Sequence, residues 1–399
     1  MAIKLLIAYK MSYTRIAATP ITHIGWGAID QLVTEVKNFN SEKILIVSDP
    51  VLKQIGILDQ VTKPLEAEGL HYDLYTDVIP EPLLATGQLL VDYARKGNYS
   101  LVIGIGGGSA LDLAKLASVF LTNEGNVGDY LNLSGSRTLQ KKGVPKILIP
   151  TTSGTGAEVT NISVLALEGT KDVISNDFLI ADVAIVDPQL TLSVPAKVTA
   201  ATGADALTHA IESYISVNAN SYSDGLALQA IKLISGSLRK AVKNGNNKQA
   251  RIDMANGSYI AGLSFFNAGV GAIHALAYPL GGQFHIPHGD SNAVLIPYVM
   301  KYIRSTCFKK VGNIYEAMGG NVNGLSPEEA SFKCIDSFVS LLSDIGIPKT
   351  LQGFNIPATA LQQLTTDGVK QERLLARCPM PLTETDIYNI YESAFTGKL

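Results

Sequence analysis

The most constraining feature of the chain is a change of texture near residue 188. Before it, short aliphatic and β-branched runs at 43–48 (KILIVS), 100–105 (SLVIGI), 146–149 (KILI) and 183–187 (VAIVD) alternate with helical periodicity at 58–68, 84–96 and 111–121. Continuous apolar runs mark strands buried on both faces, and alternation with helices places them in an open parallel sheet. Beyond residue 188 helical periodicity dominates, at 206–215, 223–242, 247–266, 327–345 and 385–395, and β-branched runs become scarce. The expected fold is an α/β N-terminal domain with a doubly wound, Rossmann-like parallel sheet over 1–190, followed by an all-α domain over 191–399. Pro188 and Pro195 interrupt the junction without a flexible linker, so the two regions are expected to pack directly with a cleft between them.

The 399 residues exceed what one hydrophobic core organises, and 46% hydrophobic against 17% charged residues supplies the burial that a globular chain needs. A net charge of -3 without a dense basic run excludes phosphate-backbone binding as the business of the chain, so no nucleic-acid partner is expected. Cys307, Cys334 and Cys378 form neither a close pair nor a zinc-type cluster, which fits a reducing cytoplasm. The start, MAIKLLIAYKMSYTR, is too short in its apolar stretch for a secretory signal, and no window reaches the roughly 18 apolar residues of a membrane span. A soluble protein with no membrane partner is expected.

Two turns carry candidate cofactor chemistry. Gly106, Gly107, Gly108 and Ser109 follow one strand and open a helix, where absent side chains let backbone N–H groups approach a phosphate. Ser109 stands where the usual dinucleotide fingerprint has its third glycine, and Ser109 with Asp112 also reads as an ordinary helix-capping pair. A second turn, Thr151-Thr152-Ser153-Gly154-Thr155-Gly156, follows the next strand, at the sheet end that collects ligands. Its hydroxyls suit a pyrophosphate or ribose, or simply cap their own turn. Asp49, at the end of the first clear strand, is placed to accept from a ribose 2′-hydroxyl and repel a 2′-phosphate, or to start a turn before Pro50.

Histidine gives the strongest signal. Four of the six, His209, His274, His285 and His288, fall within one stretch of largely apolar, glycine-rich sequence. Asp205 and His209 stand four apart in a helical pattern and so share one face. His274 and His288 follow or adjoin glycines, and a turn between them can bring all four together. One carboxylate and three imidazoles suit a divalent first-row metal, Fe2+ or Zn2+, and the lack of cysteine ligands argues against a structural zinc.

With these motifs assembled, the chain resembles the iron-containing (group III) alcohol dehydrogenases over nearly its whole length. The resemblance rests on Gly106-Gly107-Gly108-Ser109 with Asp112 and Lys115, on 150–160 (PTTSGTGAEVT), on 201–212 (ATGADALTHAIE), on His274-Ala275-Leu276-Ala277, and on Pro287-His288-Gly289 leading to Asn292. It implies a dehydroquinate synthase-like architecture, with Asp205, His209, His274 and His288 as metal ligands. It also implies Asp49, Gly106, Gly107, Gly108, Ser109, Asp112, Thr151, Thr152 and Thr155 at the NAD(H) site, with Lys171 and Leu190 as further cofactor contacts. Phe265 matches a position lining the substrate pocket. Where the family usually has a histidine four residues after the third ligand, this chain has Tyr278, whose hydroxyl becomes the candidate proton relay or whose ring simply shapes the pocket.

The implied activity is hydride transfer between NAD(H) and a small primary alcohol or aldehyde, in a homodimer or larger homo-oligomer. Alternatives within the superfamily are a reductase for an acidic aldehyde, such as sulfoacetaldehyde or a hydroxyacid semialdehyde, and a zinc-dependent glycerol dehydrogenase-like enzyme. A metal-dependent hydrolase is the alternative of a different class, but it has no need of two dinucleotide-type turns.

Overall fold

The computed structural model describes residues 13–167 and 170–399; the reading made of the first fifteen residues falls, for 1–12, outside them. Among the described residues eight strands are formed: β1 (Ile21–Ile24), β2 (Ile44–Val47), β3 (Tyr72–Tyr75), β4 (Leu101–Gly106), β5 (Lys146–Pro150), β6 (Ile162–Leu167), β7 (Thr170–Ser175) and β8 (Val183–Val186). Six make a parallel sheet in the order β1-β8-β5-β4-β2-β3, and β6 and β7 form a separate antiparallel hairpin.

Side chains alternate across the sheet as its pleat requires. Ile44, Ile46, Leu101, Ile103 and Ile105 join one apolar cluster, with α1 (Leu32–Asn38), α2 (Pro50–Gln54) and α3 (Asp59–Ala67) over them. Leu45, Val47, Val102 and Leu148 face the other way, onto α4 (Leu84–Arg95) and α5 (Gly108–Phe120). Both faces are therefore covered, as expected of a doubly wound sheet. The strand order reverses between β2 and β4, so their carboxyl ends flank the crevice where such sheets bind ligands. Asp49 follows β2, and the glycine turn follows β4.

The remainder is helical: α6 (Ala196–Ile215), α7 (Ser221–Lys243), α8 (Lys248–Ala268), α9 (Ala272–Phe284), α10 (His288–Ile303), α11 (Phe308–Ala317), α12 (Pro327–Asp344), α13 (Leu361–Val369), α14 (Glu372–Leu375) and α15 (Glu384–Thr396). One large apolar cluster unites them. α6 begins ten residues before the predicted start at 206, and it is buried on nearly every side from Thr199 onward. α6, α9 and α10 form the centre of this domain and carry the histidines.

Candidate active site

Asp205 and His209 lie one turn apart on α6, both buried. His274 sits in the first turn of α9, and His288 is the first residue of α10. The three Nε2 atoms of His209, His274 and His288 stand 3.9, 3.9 and 3.6 Å from one oxygen, Asp205 Oδ1. Donor atoms of Asp205, His209 and His274 all fall within 4.8 Å of one another.

Burial dominates the electrostatics. It pushes His209 down to about 4 and His288 well below its ordinary value, so the rings are neutral and present lone pairs. Burial also works to raise Asp205, but the surrounding histidines and the Asn292 amide outweigh it and hold the carboxylate below its ordinary value. Asn292 Nδ2 donates to Asp205 Oδ1 at 2.7 Å and meets His274 Nε2 and His288 Nε2 at 3.2 Å each. Asn292 Oδ1 and His209 Nδ1 are buried without a partner among the described residues.

Neutral imidazoles and a carboxylate, converging and short of protein donors, fit a divalent cation. Four donors at about 2.0–2.1 Å from a tetrahedral ion stand about 3.4 Å apart, a few tenths closer than the spacing here.

One functional residue was missed by the sequence reading, although its motif was seen. Glu212, three residues beyond His209, joins Asp205 and His209 on the same face of α6. Its Oε2 lies 2.5 Å from His274 Nδ1, and its Oε1 and Oε2 accept the Ile273 and His274 amides at 2.6 and 3.3 Å. It therefore caps α9 and holds the imidazole with Nδ1–H toward the carboxylate and the Nε2 lone pair toward the cluster. The signal was the 205, 209, 212 spacing, which is i, i+4, i+7 on a helix.

The two polar turns touch one another. A Cβ on Gly108 would stand 2.7 Å from Thr155 Cγ2 and 2.8 Å from Thr155 Oγ1, and one on Gly107 would stand 3.7 Å from Thr152 Oγ1. Gly107 is the N-cap of α5, a thirteen-residue helix whose first amides face this junction. The capping reading of Ser109 with Asp112 is corrected. Ser109 Oγ accepts the Glu81 amide, while Asp112 turns inward to Lys115 Nζ at 3.0 Å and the Val164 amide. The reason is Lys115: fully buried, it needs an anionic partner, and it also donates to Thr160 Oγ1 and the Ile162 carbonyl.

Asp49 Oδ1 caps α2 through the Leu52 amide, and its Oδ2 lies beside Gly106, which adopts φ +152. Thr151 is buried and Leu190 belongs to the core beneath the sheet. Lys171 is paired with Glu81 at 2.5 Å.

A cavity of about 330 Å³ joins the two halves. Gly108, Ser109, Asp112, Thr155 and Lys171 line it from the α/β side; the four ligand candidates, Phe265 and Tyr278 line it from the helical side. Asp49, Gly106, Gly107, Thr151, Thr152 and Leu190 lie outside its wall. Phe265 stacks on His209 with ring centroids 4.3 Å apart. The Tyr278 ring lies 5.9 Å from that of His288, and burial raises its phenol, opposed by Arg373.

A sheet domain and a helical domain meeting at one cavity, with a carboxylate–imidazole cluster in the helical wall, is the build of a two-domain dehydrogenase. The chain belongs to the iron-containing alcohol dehydrogenase family, which it matches over residues 19–188, with the C-terminal region of that family matched over 199–395. It is an oxidoreductase acting on CH–OH groups. It is 64% identical to long-chain-alcohol dehydrogenase 1 of Geobacillus thermodenitrificans (strain NG80-2), covering 98% of each chain. Its fold superposes on a 1,3-propanediol oxidoreductase with a TM-score of 0.92 at 34% identity, covering 96% of this chain and 100% of that one. A sulfoacetaldehyde reductase from Bifidobacterium kashiwanohense, solved in complex with NAD+, gives 0.86 at 27% identity, covering 96% and 99%. None of the alternatives, the acidic-aldehyde reductase, the polyol enzyme or the hydrolase, is favoured over alcohol–aldehyde chemistry.

Proposed function

We propose that the enzyme moves a hydride between NAD(H) and a primary alcohol or its aldehyde, with Asp205, His209, His274 and His288 holding a divalent cation, Fe2+ before Zn2+. The convergence of three imidazoles on one buried carboxylate oxygen carries this reading. A bound cation supplies Lewis acidity toward the substrate oxygen, and the nicotinamide supplies or accepts the hydride.

The chain's own contribution is placement. The Gly108 and Thr155 turns, at the N-terminus of α5, suit the pyrophosphate, and Asp49 beside Gly106 suits a ribose without a 2′-phosphate. Phe265 packs against His209 and shapes the substrate side, while Tyr278, buried one turn beyond His274, holds its hydroxyl proton at the cavity wall. In this reading residues 1–190 serve the dinucleotide and 191–399 the metal and substrate. Three free cysteines support a cytoplasmic setting. Assembly as a homodimer or larger homo-oligomer completes the proposal and is read by light scattering.

Metal analysis of purified protein, paired with NADH oxidation over a set of short and long aldehydes, tests it. His274→Ala is expected to lose bound metal and at least 100-fold in turnover while binding NADH nearly as before. Full turnover by that variant after chelator treatment would refute the scheme.

A further inference from the structure

Lys115 is a fully buried cation that the reaction above does not use. From α5 its Nζ donates to Asp112 Oδ1 at 3.0 Å, to Thr160 Oγ1 at 3.2 Å and to the Ile162 carbonyl at 2.7 Å. Asp112 completes the junction: its Oδ2 accepts the Val164 amide at 3.0 Å, and its carbonyl accepts Ser163 Oγ at 3.1 Å. α5 is thereby fastened to β6. Gly108, Ser109 and Asp112 of the helix and Ile162 and Val164 of the strand line the same cavity. A buried ion pair holds two elements together no better than well-packed apolar side chains, so the charges need a further reason.

The pair has a direction. The Asp112 side chain is 12% exposed and that of Lys115 0%, so the carboxylate reaches the cavity and the ammonium stands behind it. Asp112 lies one helical turn along α5 from Gly108, where the pyrophosphate is proposed to sit, and its charge acts on the hydroxyl of Tyr278, the neighbour of His288. It therefore borders the stretch between the phosphate end and the histidine cluster, which a nicotinamide has to occupy to exchange a hydride beside the metal ligands. The oxidised ring is cationic and the reduced ring neutral, so a carboxylate there tells them apart.

We propose that Lys115 is a positioning residue for the cofactor: it ties the β6–β7 hairpin to α5 and holds the Asp112 carboxylate toward the nicotinamide end of the cavity, and the pair thereby sets the relative affinity for NAD+ and NADH. By steadying the oxidised coenzyme it favours, on the enzyme, aldehyde reduction over alcohol oxidation. This inference rests on the NAD(H)-linked reading above and deepens it. Burial pushes the Asp112 carboxyl up, and the Lys115 charge and the Val164 amide oppose that rise. The other charges around the pair are Glu158 and Lys146 near Lys115, and, across the cavity, the Glu81–Lys171 pair, Arg373, Arg377, Tyr278 and the Asp205 cluster.

The test measures dissociation constants of NAD+, NADH and ADP-ribose by calorimetry on the metal-loaded protein from pH 6 to pH 9, in wild type, Lys115→Met and the double variant Asp112→Asn/Lys115→Met. ADP-ribose lacks the nicotinamide and reports the shape of the pocket alone. In the double variant the ratio of Kd for NAD+ to Kd for NADH is expected to rise about tenfold at every pH, while ADP-ribose binds within about twofold of wild type. In Lys115→Met the carboxyl loses its counter-charge and keeps its proton to higher pH. Its ratio is expected to approach that of the double variant near pH 6 and to fall toward wild type by pH 9. If Lys115→Met does not fold, the double variant, which buries no unpaired charge, still decides the matter. A double-variant ratio equal to wild type, or equal weakening of all three ligands, reduces Lys115 to a brace of the hairpin and overturns the proposal. A wild type that binds none of the three strikes at the NAD(H) reading itself.

Discussion

Glu212 shows how one carboxylate can serve a helix end and a ligand set at once. Its oxygens take the first amides of α9 and the Nδ1–H of His274, so the cap and the tautomer are fixed by the same group. Glu212→Gln retains an acceptor for Nδ1–H but removes the negative charge that makes the imidazole a stronger donor. Metal affinity is expected to fall by about 10- to 100-fold, measured by chelator competition and not by turnover alone. Affinity equal to wild type would show that the contact matters to α9 but not to the ion. Glu212 was within reach of the sequence, because 205, 209 and 212 share a helical face. Other parts of the cavity wall were not: Arg373 and Arg377, which line it, lie about a hundred residues from His274, in and beside a four-residue helix, and only the tertiary fold brings them to the cavity.

The elements that carry the site were the least legible. β2, β4, β5 and β8 announce themselves because they are buried on both faces and read as unbroken aliphatic runs. β1 (ITHI) and β3 (YDLY) are sheet edges, half-exposed and mixed in polarity, and gave no such signal. α9 and α10 are buried nearly all round and contain Pro279 and Pro297, so no polar stripe marks them as helices. Their glycine-flanked starts read instead as turns around histidines. The start of α10 also explains a glycine. A Cβ on Gly289 would stand 2.2 Å from the Ala201 carbonyl oxygen of α6, so only glycine lets α10 approach closely enough to bring His288 to Asp205. Gly289→Ala is expected to fold but displace His288, with metal affinity reduced at least tenfold in chelator competition and thermal stability lowered by about 1–3 kcal/mol. Unchanged metal binding would mean that α6 and α10 tolerate separation.

At the scale of the molecule, the cleft depends on close contact between the domains. Gly156 in the second polar turn meets Gly262 of α8 backbone to backbone, with 2.6 Å to Gly262 Cα from a Cβ built on Gly156. The same junction buries Glu158, only 2% exposed, whose carboxyl is pushed up to about 7, chiefly by desolvation and in spite of Lys115. The consequence for stability has a definite sign. An unfolded glutamate titrates near 4.5, so between about 4.5 and 7 the folded state holds more protons than the unfolded one, and stability falls as pH rises through that window. Above pH 7 the full cost of a buried carboxylate is present, at most on the order of 3 kcal/mol, because each tenfold change in proton affinity is worth about 1.4 kcal/mol. Glu158→Gln removes the ionisation and keeps the shape. Its stability relative to wild type is expected to rise steadily from pH 5 to pH 8 in parallel denaturant titrations, because every other titrating group is common to both proteins and cancels in the difference. A gap constant with pH would place the proton elsewhere, and a gap that shrinks toward pH 8 would mean that Glu158 is ionised and supported by Lys115.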